Sequence, residues 1–161
     1  MIALGSNLGD SARLLAQAMD DLQRLATVPI LRSSLWRTSP VDCPPGSPVF
    51  LNAVVLLTPK PGETPESLLQ KLGRMEAEFG RNPKQVLNEA RPLDLDLIAF
   101  YGETRSTPEL VLPHPRFHQR RFVLAPLHEI GAAWILPGMK SSVAELLANW
   151  KGDEVVDRFP P

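Results

Sequence analysis

The segment Phe50-Leu51-Asn52-Ala53-Val54-Val55-Leu56-Leu57 is apolar at every position except Asn52. It contains neither proline nor glycine and is too short for a typical helix, so it predicts a β-strand. A strand that is apolar on both faces is usually covered on both faces. We therefore expect this strand at the centre of a sheet, with the rest of the chain folded around it.

The chain before this strand predicts a strand, a helix and a second strand. Met1–Leu4 is a short apolar segment, and Gly5–Asp10 has the composition of a turn. Ile30–Thr38 predicts the second strand, and four prolines stiffen the loop 39–48 that follows it. Between them lies a helix that starts after Asp10 or Ser11 and has an apolar residue every three or four positions, at Leu15, Ala18, Met19, Leu22 and Leu25.

The chain after the central strand predicts a helix and a further strand. Thr64-Pro65-Glu66 is a helix start, because it supplies an N-cap, a proline at the first helical position and an acid in the first turn. Gly80 ends this helix, and a loop over 81–92 leads to a strand over 93–100. Shorter helices are predicted over 121–130 and 141–150. The helix that starts at Thr64-Pro65-Glu66 is expected to bury Leu68, Leu72, Met75 and Phe79.

The order strand, helix, strand, strand, helix, strand is the split βαβ arrangement of ferredoxin-like domains. The sequence therefore predicts an α+β fold with an antiparallel sheet and helices packed on one of its faces. At 161 residues the chain has the size of one domain, and we expect residues 1–161 to form it.

Composition narrows the function classes. The chain carries 17 lysines and arginines against 18 acidic residues, so general binding to nucleic acid or to an anionic membrane is not expected. The N-terminus has no signal-peptide pattern, and no apolar run approaches the ~20 residues of a membrane span. The one cysteine, Cys43, excludes an intrachain disulfide and is interpreted as a passive thiol, which favours the reducing cytoplasm.

The segment Leu93-Asp94-Leu95-Asp96-Leu97 carries the sharpest chemical signal. Side chains alternate across a strand, so both aspartates project from one face, with their roots ~7 Å apart. One interpretation is a half-exposed strand with a solvated face. The other is a Mg²⁺ site, because aspartate is a poor strand residue, two like charges repel, and Mg²⁺ takes one or two carboxylates together with phosphate oxygens.

Basic residues flank this strand on both sides. The segment His114–Arg121 contains three arginines and two histidines and no acid. Zinc binding by His114 and His118 is not favoured, because Pro115 opposes a regular helix and no cysteine is nearby. Phosphate binding and a solvated basic face both remain open. Arg81, Lys84 and Arg91 lie on the other side, before the strand. The aspartates could bind Mg²⁺ and the basic side chains could neutralise phosphate charge, so the group as a whole suits a Mg²⁺–polyphosphate complex.

Asn52 is the polar exception in the central strand. A buried amide must find hydrogen-bond partners or lose ~1–3 kcal/mol. Phe50 shares its face of the strand, and an aromatic ring beside an amide can stack on a flat heterocycle while the amide hydrogen-bonds to its edge. An asparagine satisfied by neighbouring main chain is the alternative.

Several motifs in order along the chain together resemble the 6-hydroxymethyl-7,8-dihydropterin pyrophosphokinase family of folate biosynthesis. The segments that carry the resemblance are Ala3–Leu8, Arg37–Thr38, Phe50–Asn52, Arg91–Ile98, Leu112–Arg116 and Arg120–Leu127. The resemblance implies a monomeric, ferredoxin-like enzyme that acts on small molecules. Its reaction would move a pyrophosphoryl group from ATP to the pterin hydroxymethyl oxygen and release AMP, with ATP as co-substrate and two Mg²⁺ ions.

The resemblance also assigns residues to roles. It implies that Asp94 and Asp96 bind the metal ions and that Arg81 and Arg91 are catalytic. The ATP-binding residues would be Glu76, Leu97, His114, Arg116 and Arg120, and the pterin-binding residues would be Thr38, Val41, Phe50, Asn52 and Phe122.

Two other function classes compete with this enzyme. A nucleic-acid-binding ferredoxin-like module would need paired aromatics within a basic strand motif, and the sequence has none. A non-catalytic pterin- or nucleotide-binding domain would have no need for two metal-binding carboxylates.

Overall fold

The structure is a computed structural model, and it describes residues 1–40, 42–80 and 90–160. The elements alternate between short strands and helices, much as the sequence predicts. The strands are β1 (Ile2–Ser6), β2 (Leu31–Arg32), β3 (Trp36–Thr38), β4 (Phe50–Leu56), β5 (Asp94–Leu97), β6 (Arg105–Ser106), β7 (Val111–Leu112) and β8 (Val156–Arg158). The helices are α1 (Ser11–Gln23), α2 (Pro65–Glu78), α3 (Arg121–Gly131) and α4 (Val143–Ala148), and Phe117–Gln119 forms a 3₁₀ turn.

The main sheet has the strand order β5-β1-β4-β3-β8, and β2 also pairs with β4. Every pairing is antiparallel, and β4 lies at the centre, as its apolar sequence predicts. Strands β1, β3, β4 and β5 with helices α1 and α2 reproduce the split βαβ order. The predicted α+β fold is confirmed.

Helices cover both faces of the sheet, so the prediction that they share one face is wrong. On one face, α1 and α2 pack against Ile2, Leu4 and Val55, and α3 and α4 pack on the other face against Ala3 and Val54. The cause is visible in β1 and β4, whose inner residues are buried without alternation. Strands of that kind need an apolar layer on each side.

The helix ends follow the capping signals. The side chain of Asp10 accepts a hydrogen bond from Arg13 N at 3.2 Å, and that of Thr64 accepts one from Ser67 N at 3.1 Å. Gly80 adopts a φ of 88°, a left-handed conformation that glycine reaches without strain. The predicted apolar stripes of both helices belong to the core, at Leu15, Ala18, Met19, Leu22, Leu68, Leu72 and Met75.

Two predicted strands differ in extent. The segment 30–38 forms β2 and β3 with a break at Ser33, where Val54 N donates to the Ser33 hydroxyl at 2.9 Å instead of to a main-chain carbonyl. The strand predicted over 93–100 is regular only from Asp94 to Leu97. Beyond it the chain turns away, and Ile98 O accepts a hydrogen bond from His114 N at 2.8 Å.

Glu129 on α3 ties the second helical layer to the sheet. Its carboxylate accepts hydrogen bonds from Ser34 N (3.1 Å), the Ser34 hydroxyl (2.7 Å), Trp36 Nε1 (3.1 Å) and Arg158 (2.6 Å). Burial alone raises the pKa of Glu129, but the hydrogen bonds from Ser34, Arg158 and Trp36 outweigh burial and lower it. These contacts join α3 to β3 and to β8, a strand that the sequence did not predict.

Replacing Glu129 with glutamine is expected to lower the free energy of unfolding by about 1 kcal/mol or less, because an NH₂ group would then face donors while solvent at this exposed position screens the lost charge. The lowered pKa places this stabilisation above the ordinary glutamate pKa of 4.5, and it is lost as the pH falls through the folded-state value. Urea unfolding at pH 7 and at progressively lower pH measures both effects. The exposed Glu109→Gln is the matched control, and equal stability of the two variants at pH 7 would contradict the prediction.

Candidate active site

The register of the sheet places the predicted polar residues on one face, which we call the site face. Gly5 of β1 pairs with Asn52 of β4 on one side and with Asp94 of β5 on the other. Ala3, two residues earlier, pairs with Asp96. Directly paired residues project to the same side of a sheet, so Asn52, Asp94 and Asp96 share the face that α3 also covers. Asn52 and Asp94 are thus one strand apart, with only a glycine between them.

Asp96 faces two arginines and a second acid. Arg120 donates to Asp96 Oδ2 at 3.2 Å, and Arg91 NH2 lies 3.9 Å from Asp94 Oδ2. Burial and then the charge of Asp94 raise the pKa of Asp96 above its ordinary value, although Arg120 and Arg91 act against this rise. The ionised form of Asp96 is therefore disfavoured by its burial and by Asp94, and a cation bound between the two carboxylates would stabilise it.

The donor set suits Mg²⁺. Hard carboxylate oxygens on a strand are ligands that Mg²⁺ accepts, and it commonly leaves the rest of its shell to water and phosphate oxygens. In the described part of the chain, no cluster of three or more histidine, cysteine, aspartate or glutamate side chains is arranged to hold a metal. Such a closed set is typical of zinc rather than of Mg²⁺.

Arg120 contacts Asp96, and His114 lies close enough to Asp94, Arg116 and Arg120 to feel their charges. Burial, then the charges of Arg120 and Arg116, lower the pKa of His114 from 6.5 to about 4. The ring is therefore neutral at pH 7. Its Nδ1 accepts a hydrogen bond from Arg116 N at 3.1 Å, so the proton lies on Nε2, where it is available to donate to a ligand oxygen.

Asn52, Thr38 and Phe50 form the second part of the site face. Asn52 is 5% exposed, and its Nδ2 donates to the Thr38 hydroxyl at 2.6 Å. Thr38 pairs with Phe50 across β3 and β4, so the ring stands on the same face. An ideal Cβ on Gly5 would lie 3.0 Å from Asn52 Oδ1, so glycine leaves room for the amide to lie in this orientation.

The start of α3 brings Arg120 and Phe122 to the site. The Arg120 guanidinium lies 5.5 Å from the centre of the Phe122 ring. No side chain of the preceding turn caps α3; instead Arg121 N donates to Glu154 at 2.8 Å. Burial raises the pKa of Glu154, against hydrogen bonds from the main chain of Arg121 and Phe122. A residue near the end of the sequence therefore helps to hold this turn.

Four predicted site residues are placed differently or are not described. The Leu97 side chain is 4% exposed and packs in the core on the opposite face, because strand residues alternate. Its main chain belongs to β5, the strand at the edge of the sheet that also carries Asp96. The Glu76 carboxylate accepts a hydrogen bond from Leu95 N at 2.7 Å and so braces that edge. Val41 and Arg81 lie outside the described residues.

Asn7 contacts Arg91 beside the site face, a position that the turn composition of Gly5–Asp10 does not predict. It is 3% exposed, and its Oδ1 accepts a hydrogen bond from Arg91 N at 2.9 Å. A polar residue directly after a fully buried strand is the signal that could have identified it.

Paired carboxylates, arginines and a histidine share the site face with an amide and an aromatic ring, an arrangement that suits an enzyme transferring a phosphoryl-type group. The sequence matches the family described as 7,8-dihydro-6-hydroxymethylpterin-pyrophosphokinase over residues 1–132. The chain belongs to this family of pyrophosphokinases.

Individual relatives agree with the family match. A Bacillus subtilis protein named 2-amino-4-hydroxy-6-hydroxymethyldihydropteridine pyrophosphokinase is 41% identical over 130 residues, which are 80% of this chain and 75% of the relative. A Haemophilus influenzae protein of the same name is 31% identical over 160 residues, 99% of this chain and 97% of the relative. An Arabidopsis thaliana mitochondrial folate synthesis bifunctional protein is 39% identical over 131 residues, 81% of this chain and 23% of that longer protein.

Proposed function

We propose that this chain transfers the pyrophosphoryl group of ATP to the hydroxymethyl oxygen of 6-hydroxymethyl-7,8-dihydropterin, in folate biosynthesis and with Mg²⁺. The observation that carries the proposal is the shared site face. Asn52 and Asp94 flank Gly5 in one register row, so a heterocycle bound at Asn52 would have its side arm near the carboxylates.

The proposed reaction forms one bond and breaks one. The hydroxymethyl oxygen of the pterin attacks the β-phosphorus of ATP, the bond from that phosphorus to the α–β bridging oxygen breaks, and AMP leaves. The hydroxyl proton passes to solvent. Reactions of this type depend on positioning and charge neutralisation rather than on an enzyme nucleophile. Mg²⁺ on Asp94 and Asp96, two ions by the family resemblance, would neutralise phosphate charge when bound.

The residues of the chain then take distinct roles. Arg91 and Arg120 stand 3.9 Å and 3.2 Å from the two carboxylates and neutralise the remaining charge on the phosphates. His114 donates from Nε2 to a phosphate or ribose oxygen, and Arg116 next to it adds a further charge. Arg81 is proposed to act with Arg91, and Glu76 and the main chain of Leu97 to line the nucleotide side.

We propose that Asn52, Thr38, Phe50 and Phe122 form the site for the flat pterin ring, which we call the acceptor pocket. Asn52 hydrogen-bonds to its edge, Thr38 orients Asn52, and Phe50 and Phe122 stack on its two sides. Val41 is proposed to contact the ring as well. Asn52 is 5% exposed and its Nδ2 is held by the Thr38 hydroxyl, so the amide is fixed in place to hydrogen-bond to a pterin edge that carries donors and acceptors.

We further propose a single domain over residues 1–161 that works as a monomer. Strand β8 joins the sheet through β3, and α4 packs with α3, so the segment after residue 132 is part of the same core. Both halves of the site face belong to one chain. A cytoplasmic location is proposed because the one cysteine permits no intrachain disulfide. Among the described residues, no helix has the length and apolarity for crossing a membrane.

A non-catalytic domain that only binds a pterin or a nucleotide is the alternative. Incubation with ATP, Mg²⁺ and 6-hydroxymethyl-7,8-dihydropterin, followed by chromatography of the nucleotides, separates the two. The enzyme is expected to form AMP only when pterin and metal are both present. Omitting the pterin and adding a chelator are the two controls, and binding of both ligands without pterin-dependent AMP would establish the alternative.

A further inference from the structure

Two buried hydrogen-bond donors beside the carboxylates have no partner in the described ranges. They are the side-chain Nδ2 of Asn7 and the Nε of Arg91. Asn7 is 3% exposed, and the Arg91 side chain is 12% exposed. Folded proteins leave few buried N–H groups unpaired. Two of them on contacting residues therefore call for an acceptor that comes with a ligand.

The side-chain oxygen of Asn7 fixes the orientation of its amide group. Arg91 N donates to Asn7 Oδ1 at 2.9 Å, and Asn7 N donates to Arg91 O at 3.2 Å. A flipped amide would turn its NH₂ group toward the N–H of Arg91, so the oxygen must occupy this position. Nδ2 is then the free end of the side chain.

The register indicates where Asn7 stands. Gly5 pairs with Asn52 and Ser6, the last residue of β1, with Leu51, so Asn7 follows the strand at the end of β4 that begins with Phe50. On its other side Asn7 touches Arg91, whose guanidinium reaches toward Asp94. Asn7 therefore lies between the acceptor pocket and the carboxylate pair. In the proposed reaction, this is where the transferred phosphoryl group passes from one substrate to the other.

We propose that Asn7 is a further substrate-binding residue, whose Nδ2 donates, together with Nε of Arg91, to an oxygen of the phosphoryl group being transferred. Both unpaired groups are donors, and one belongs to a guanidinium, so an anionic oxygen is the acceptor that suits them. The amide oxygen of Asn7 meanwhile holds the main chain of Arg91 in place. This inference rests on the proposed function and adds a residue to it.

Two variants test the role of Nδ2. Asn7→Asp keeps an oxygen for Arg91 N and removes the donor, and the exposed Asn149→Asp makes the same chemical change away from the site face. Asn7→Asp is expected to lower kcat/KM for ATP at least about 100-fold while its thermal midpoint stays near that of the wild type, and Asn149→Asp is expected to change neither. A folded Asn7→Asp with wild-type kcat/KM would overturn the inference.

A measurement on the unmodified protein covers the case in which Asn7→Asp does not fold. The side-chain amide signals of ¹⁵N-labelled protein are followed while the α,β-methylene analogue of ATP, Mg²⁺ and the pterin are added. The Asn7 signal is expected to shift and its hydrogen exchange to slow, while that of Asn149 stays in place. A wild type that forms AMP with an unresponsive Asn7 overturns only this inference, whereas a wild type that forms no AMP overturns the proposed function.

Discussion

Asp96→Asn is expected to lower kcat for AMP formation by about 10³-fold or more, because it removes one of the two carboxylates proposed to hold Mg²⁺ against the phosphates. The raised pKa of Asp96 shows that burial and the charge of Asp94 make its ionised form unfavourable in the free protein. A group with a raised pKa destabilises the fold once it is ionised above its unfolded pKa. The variant should therefore unfold at a temperature no lower than the wild type.

Steady-state kinetics measures kcat for AMP formation, and thermal unfolding measures the melting temperature. Asp20→Asn is the matched control, because Asp20 is an exposed aspartate on α1, on the opposite side of the sheet. The two proteins should also differ in their response to MgATP, which raises the melting temperature of any protein that binds it only in the folded state. An Asp96→Asn variant that forms AMP at the wild-type rate would rule out the metal role of this carboxylate.

Asn52→Ala is expected to raise KM for the pterin about 100-fold and to leave KM for ATP within a few-fold of the wild-type value. A buried amide that hydrogen-bonds to the edge of the pterin contributes ~1–3 kcal/mol to its binding. Alanine cannot make these hydrogen bonds and leaves the ring atoms unpaired, so only binding of the pterin is weakened. Initial rates with each substrate varied in turn give both constants.

The Asn52→Ala result is read against two controls. Asn149→Ala removes an exposed amide and should alter neither constant, and Thr38→Val should reproduce part of the effect, because the Thr38 hydroxyl orients Asn52 through its 2.6 Å hydrogen bond. Equal rises in both KM values would mean that Asn52 supports the fold as a whole rather than the acceptor pocket.

Most of the fold is predictable from local sequence signals. The apolar run of β4, the caps of α1 and α2 and the alternation in β5 each depend on residues close together in the chain. Strand β8 is not predictable in this way, since Val156–Arg158 is a strand only because the edge of β3 is free to pair with it. The second helical layer likewise follows from burial of Ala3 and Val54, which a sequence pattern shows only as general hydrophobicity.

The site residues also divide into those that the local sequence identifies and those that it does not. Asp94, Asp96 and Asn52 stand out because each is a polar residue in an otherwise apolar strand, and the antiparallel register then brings them to one face. Leu97 falls on the other face by the same alternation. Asn7 and Glu154 depend on contacts with Arg91 and Arg121, 84 and 33 residues away, so the local sequence does not show what they bind, although the place of Asn7 directly after a buried strand marks it as unusual.

The most direct test is a ³¹P NMR spectrum of one reaction mixture containing the protein, MgATP and 6-hydroxymethyl-7,8-dihydropterin. Transfer of the β- and γ-phosphates as a unit predicts that the ATP signals give way to AMP and to the two coupled phosphorus signals of a pterin diphosphate, in equal amounts. Formation of ADP with a pterin monophosphate, or of ADP and inorganic phosphate, would contradict diphosphoryl transfer at this site.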